Sequence, residues 1–479
     1  MSESKIIDLI SPEEATLGLN EKAPLPVVVQ QSVLPECEEA PAEAKEESPD
    51  KGEGVREAEE QTHSDKPKVV PAESKKGLTN KEVTDHTASL WKYLPIPDDE
   101  PEPAPEYLQC DTTLPGGRVV AARVRGKKHK HEGTNCDDWY EIANVDDVTF
   151  IAVSDGAGSK KFSRIGARES SKASVGYLVS AYGKMLSEIP TLREALKQEL
   201  SSNECMEACG RIASLVQKSV IQAWEAVEAA FYSRATDSAY SKVLNRKLDL
   251  KDLSGTLLVA AIIPLNAETK EHLIVTCQVG DGMIVSINSR GAFQSSVKLL
   301  GVPDSGDFSG ETEFLTAPQM KTMEALQKRT KLSRGVTDTV MLMSDGVADD
   351  YFPNETQMRR LFFDLLVNGI IEIEDKPTDL SKLSPKELSI FKRIPDPILY
   401  PWVNDKSVTV PIQYTNRICD SIEVSLEELW EDRSILGLAS LELKEAIPTS
   451  DMGERLRVWL DNYYERGSFD DRTLVVMQL

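Results

Sequence analysis

No Phe, Tyr or Trp occurs before Trp91 in this chain of 479 residues. A segment so poor in large apolar side chains cannot bury enough surface to offset its ordering entropy. Residues 1–105 therefore read as a disordered acidic tail, closed by the stiff extended linker "PIPDDEPEPAPEY". No stretch approaches the roughly 18 consecutive apolar residues of a membrane span. The start, "MSESKIIDLISPEE", lacks the basic region and apolar run of a secretory signal. The seven cysteines are odd in number and include no C-x-x-C, which argues against a disulfide framework and for reduced thiols in a cytoplasmic protein. Positive charge is also scarce. The net charge of -24, about half of it in the first hundred residues, argues against a nucleic-acid or anionic-membrane partner. The five histidines form no Ser-His-Asp arrangement, and no P-loop or G-x-G-x-x-G is present. A hydrolase working through a side-chain nucleophile has little support.

What is present begins after the tail. "GGRVVAARVRG" (116–126) and "DVTFIAVSD" (147–155) read as strands, and apolar residues at helical spacing then run from 163 to 233. The period changes again in "GTLLVAAIIPL", "HLIVTCQVGDGMIVSI" and "TVMLMSDG", which are β-rich. The first two are joined by the short polar loop "NAETKE", and the "GDG" of the second reads as a hairpin turn. Helices return at 355–370, a polar section at 372–450 lacks a clean period, and a last helix precedes the strand "RTLVVMQL". Strands and helices are segregated, which points to an α+β layered sheet domain over 106–479 rather than a doubly wound parallel sheet. Two apolar patches in the tail, "IIDLI" and "LPVVV", read as chance or as docking motifs, and "ASLWKYLPIP" (88–97) is a better candidate for a segment that folds onto something.

Four apolar strands touch Asp beside glycine or a second Asp: at Asp155, Asp281, Asp345, and Asp470 with Asp471. Asp137 and Asp138 lie earlier, in "GTNCDDWYEI". Each Asp-Gly alone reads as a plain turn. Together they place carboxylates on rigid strand ends where glycine lets a ligand approach, a hard-oxygen arrangement suited to Mg²⁺ or Mn²⁺ rather than zinc.

Order and context sharpen the reading. The segments "GTNCDDWYEI", "VSDGAGSKKFSRIGA", "LSGTLLVAAI", "CQVGDGMIV", "LMSDGVADD" and "FDDRTLVVMQL" follow one another as they do in the metal-dependent protein phosphatases, the type 2C serine/threonine family, and the chain resembles its divergent bacterial subgroup. The resemblance implies an antiparallel β-sandwich flanked by helix layers. It implies two Mn²⁺ or Mg²⁺ ions, with a third in some members. Asp155 would bridge the ions, the Gly156 carbonyl would bind one, and Asp345 and Asp470 would complete the second. Asp138 and Asp137 would bind through water, and Asp281 and Asp349 correspond to the third site. A metal-activated water would then hydrolyse phosphoserine or phosphothreonine.

The family's phosphate-gripping arginine corresponds here to Gly133, and the nearby basic cluster offers Arg125, Lys127, Lys128, His129 and Lys130 in its place. That departure keeps a second hypothesis open: a phosphatase-fold adaptor that binds a kinase or other partner through the tail or the 372–450 insertion. A hydrolase of small phosphoesters is a third.

Overall fold

The computed structural model describes residues 5–7, 92–301, 313–351, 355–372, 380–401, 409–446, 451–462 and 469–479. Most of the expected tail, including "LPVVV", lies outside these residues, as do parts of 372–450.

Two six-stranded sheets form the centre. One contains β1 (Lys5–Ile7), β4 (Trp139–Val145), β5 (Val148–Ser154), β6 (Leu257–Asn266), β7 (Glu271–Val279) and β10 (Thr330–Val336), in the order β1-β10-β7-β6-β5-β4. The other contains β2 (Tyr107–Leu114), β3 (Gly117–Val124), β8 (Met283–Ile287), β9 (Val297–Leu299), β11 (Thr339–Met343) and β14 (Arg472–Gln478), in the order β2-β3-β14-β11-β8-β9. Every pairing is antiparallel, including that of the two-stranded ribbon β12 (Ile398–Pro401) and β13 (Thr409–Ile412). β1, which carries part of "IIDLI", pairs with β10 and forms the edge of its sheet.

Helices cover both faces. At the end of the second sheet, directly after β3, comes α1 (Lys127–Glu132), and over the first sheet lie α2 (Ser163–Glu188), α3 (Leu192–Lys197), α4 (Asn203–Arg234), α5 (Ser238–Leu244) and α6 (Met323–Lys328). The short α7 (Asp345–Ala348) and then α8 (Glu355–Val367), α9 (Pro385–Phe391), α10 (Thr415–Ile422), α11 (Leu426–Glu431), α12 (Ser434–Ala446) and α13 (Met452–Asn462) belong to the second half. β6 shows why this layering holds. Its Leu258, Ala260 and Ile262 enter the core between the sheets, while Leu257, Val259, Ala261 and Ile263 pack under α2 and α4. A strand buried on both faces reads as one continuous apolar run, as "LLVAAII" does. On the other side, Ile412, Tyr414, Ile418, Leu429, Trp430 and Leu436 of the late insertion share one core with Phe362 and Phe363 of α8. The architecture is the α-β-β-α sandwich expected.

Two features depart from the sequence reading. "GDG" is not a hairpin turn: β7 and β8 lie in different sheets, and Asp281 sits on the crossover. Gly280 and Gly282 take φ of 89° and 86°, which lets three residues carry the chain from sheet to sheet. Residues 98–106, placed by composition in the linker, run extended across the folded part, continuing from 92–97, where the Leu94 amide donates to the Lys130 carbonyl at 2.7 Å. Arg164 donates to Glu100 at 2.9 Å and to the Glu102 carbonyl at 2.9 Å, Arg168 donates to the Glu102 carboxylate at 2.6 Å, and Asn135 accepts from Ala104 N at 2.9 Å.

Candidate metal centre

The antiparallel register brings the acidic segments to one end of the sandwich. Trp139 pairs with Ser154, so Asp138 and Asp155 emerge side by side. Met343 pairs with both Met283 and Leu474, so Asp345, Asp281 and the Asp470–Asp471 pair share that end. Val124 pairs with Arg472, which adds α1 and its basic residues.

The Asp155 turn is held by the "SGT" segment. Asp155 N donates to Thr256 Oγ1 at 3.0 Å, Thr256 N donates to the Asp155 carbonyl at 2.8 Å, and Ala157 N donates to the Ser254 carbonyl at 2.9 Å. Gly156 is required by close approach: a Cβ there would lie 2.6 Å from the Asp137 carbonyl.

Asp155, Asp281 and Asp345 each offer a carboxylate oxygen, the three within 4.8 Å of one another. Burial and then the neighbouring Asp345, Asp138 and Asp281 charges push Asp155 well above the usual carboxylate range. Burial also lifts Asp345 to about 6, Asp138 to about 8 and Asp137 to about 7, with the Asp471 charge reinforcing the last two. Asp349 is raised by burial and by Asp281. One buried oxygen on each of Asp137, Asp138 and Asp345 has no hydrogen-bond partner. Like charges crowded in this way hold protons that a hard divalent cation would displace. The donor set is all oxygen, as Mg²⁺ and Mn²⁺ prefer.

Asp470 stands apart from that triad. It groups instead with His129 and Asp471, again within 4.8 Å. Asp471, which sequence reasoning passed over as a site residue, organises this corner. Its Oδ1 accepts from Gly126 N at 2.6 Å, its Oδ2 accepts from Asp137 N at 2.5 Å, and His129 Nδ1 lies 2.8 Å from Oδ2. Burial opposes its charge, but His129 outweighs it and holds Asp471 below the usual range. His129 is correspondingly raised to about 10, the Asp471 charge overcoming burial. Thr473 and Ser344 were likewise missed; both hydroxyls hydrogen-bond the Asp138 carboxylate, Thr473 at 2.6 Å. Their only signal in the sequence is adjacency to the acidic motifs.

The five basic candidates separate cleanly. Arg125 is 1 % exposed, and its guanidinium donates to Glu106 at 2.6 Å and to the Leu94 and His129 carbonyls. Lys130 is paired with Asp461, and His129 is buried against Asp471. None of the three is available to a phosphate. Lys127 is half-buried, and desolvation lowers it to about 8. Lys128 lies beside Gly158 and Asp470: a methyl group built on Gly158 would lie 3.9 Å from Lys128 Nζ and 3.8 Å from Asp470 Oδ2.

A protein phosphatase 2C family model matches residues 125–381, a span that includes every acidic motif except the Asp470–Asp471 pair. No curated protein matches. Among solved structures, RsbX in complex with magnesium is 12% identical, with 78% of this chain and 99% of that chain covered and a TM-score of 0.29. Serine/threonine phosphatase Stp1 from Staphylococcus aureus is 12% identical, covering 77% and 97%, at a TM-score of 0.32. A phosphatase from Toxoplasma gondii is 10% identical, covering 78% and 95%, at 0.31. Among the described residues no helix is long and apolar enough to cross a membrane.

Proposed function

Because the chain belongs to the protein phosphatase 2C family, we propose that it is a metal-dependent serine/threonine protein phosphatase of the cytoplasm, acting on phosphorylated proteins. The observation that carries this reading is the meeting of Asp155, Asp281 and Asp345 at one sandwich end, with buried carboxylate oxygens left unpartnered around them. Asp155, the Gly156 carbonyl, Asp345 and Asp470 would hold two Mn²⁺ or Mg²⁺ ions, with Asp137 and Asp138 behind them and Asp281 and Asp349 available to a third. Bound there, the ions supply an activated water at neutral pH and neutralise charge on the phosphoryl oxygens.

The chain's own residues do the rest. The Asp155 turn is fixed by Thr256 and Ser254, so its carboxylate needs no reorganisation. Asp471 and His129 tie the β14 start to α1, which sets Asp470 and Lys128 both beside Gly158. Lys128 would contact the substrate phosphate as a point charge rather than as a bidentate fork.

Phosphopeptide turnover with and without Mn²⁺ tests the proposal. Release of phosphate should depend on the metal and disappear in Asp155→Ala and Asp345→Ala. Full activity in excess EDTA would rule it out. The engagement of Arg125 and Lys130 elsewhere favours, as a second reading, a weakly active adaptor that binds a kinase or other partner. Calorimetry showing no divalent binding at millimolar metal would support that reading over the first.

A further inference from the structure

The late insertion is joined to α8 by more than apolar packing. Thr415 donates twice to Asp364 Oδ1, from its backbone N at 2.7 Å and from Oγ1 at 2.6 Å. One turn further along, Asn368 accepts from Gln413 N at 3.0 Å and donates to the Gln413 carbonyl at 2.8 Å. The other oxygen of Asp364 accepts from the Tyr351 hydroxyl at 2.8 Å. Asp364 is 1% exposed and Tyr351 is 0% exposed, so water does not compete. Tyr351 ends the turn that Asp345 begins, because α7 passes directly into the 3₁₀ turn Asp349–Tyr351. Arg360 of α8 also grips that turn, donating to the Asp350 carbonyl at 3.3 Å with its guanidinium 4.7 Å from the Tyr351 ring centre.

We infer that Thr415, Asp364 and Tyr351 are positioning residues for the divalent cation: through them the insertion sets where Asp345 and Asp349 stand. Packing alone would be served by apolar side chains. A buried carboxylate at this junction is tolerated only because donors converge on it. Two of those donors come from the insertion and one from the turn carrying the candidate ligands. The described part of the insertion is thereby part of the scaffold of the site. Groups that orient ligands in this way tune metal affinity without touching the ion. The inference rests on the metal-dependent reading above.

The test is Mn²⁺ calorimetry on the full chain, with melting temperatures measured alongside. Tyr351→Phe and Thr415→Val should each bind Mn²⁺ about tenfold more weakly. Thr415→Ser keeps the hydroxyl and should restore the wild-type affinity. Thr415→Val also keeps the backbone donor, so it carries the test if Tyr351→Phe does not fold. Unchanged Mn²⁺ affinity in variants whose melting temperatures fall would overturn the inference and leave only a packing role. A wild-type chain that binds no Mn²⁺ would overturn the metal reading itself, and this inference with it.

Discussion

Replacing Glu102 by Gln takes one charge from between two guanidinium groups and a phenol. The Glu102 carboxylate accepts from Arg168 at 2.6 Å, from Arg234 at 3.0 Å and from the Tyr240 hydroxyl. Burial opposes the charged form, but these donors outweigh it and lower Glu102 from 4.5 to about 2. At roughly 1.4 kcal/mol per unit, that difference is about 3 kcal/mol. Its side chain is 28% exposed, so solvent screening reduces the expected contribution to about 2 kcal/mol. The sign follows from linkage. A carboxylate depressed in the folded state contributes fully above its unfolded value and loses that contribution as pH falls through the folded one. The melting gap between wild type and Glu102→Gln should therefore be several degrees at neutral pH and constant down to about pH 5. It should shrink by more than half by about pH 3. Thermal unfolding followed by circular dichroism across that range reads the gap directly. A gap independent of pH, or no gap at neutral pH, would refute the reasoning.

Other perturbations probe the site. Lys128→Ala should raise KM for a phosphopeptide about tenfold, while Lys130→Ala, whose partner is Asp461, should leave KM unchanged in steady-state assays. Gly282→Ala puts a side chain at φ 86° with its Cβ 2.6 Å from the Met343 carbonyl. It should destabilise the protein by about 2 kcal/mol or more in denaturant titration. Asp471→Asn removes the counter-charge of buried His129 and sets an amide against two backbone donors. A loss of about 3 kcal/mol in melting experiments is expected.

The legible parts of the sequence were those whose chemistry is local. An Asp beside an apolar strand announces itself, and six ordered segments, five of them carrying such an Asp, supplied the resemblance that implied the sandwich and the acidic residues at its end. The β7–β8 crossover was not legible because alternation along a strand is the same whether its neighbour lies in its own sheet or in the facing one. Two glycines around Asp281 serve either geometry. The strap beyond residue 97 was hidden for a different reason. Its composition is that of a linker, and its anchors, Arg164, Arg168 and Arg234, lie far along the chain in helices that give no sign of a partner. Arg125 and Lys130 looked like phosphate ligands for the same reason, since Glu106 and Asp461 meet them only in the fold.

The directions in which the acidic groups are shifted divide the site into two classes. Asp471 is held low, because the chain itself supplies His129 and two backbone donors to its oxygens. Asp137, Asp138, Asp155 and Asp345 are pushed up, and three of them retain a buried oxygen with no hydrogen-bond partner. A carboxylate whose charge the fold already satisfies gains little from a cation, whereas one raised by burial and by its neighbours gains most. Asp471 is therefore scaffold, although it stands beside Asp470 in the same motif. Asp138 lies between the classes, since Thr473 and Ser344 steady one of its oxygens and leave the other bare. The same logic places His129 with the scaffold: its ring lies between Asp471, at 2.8 Å, and Asp470, at 3.5 Å.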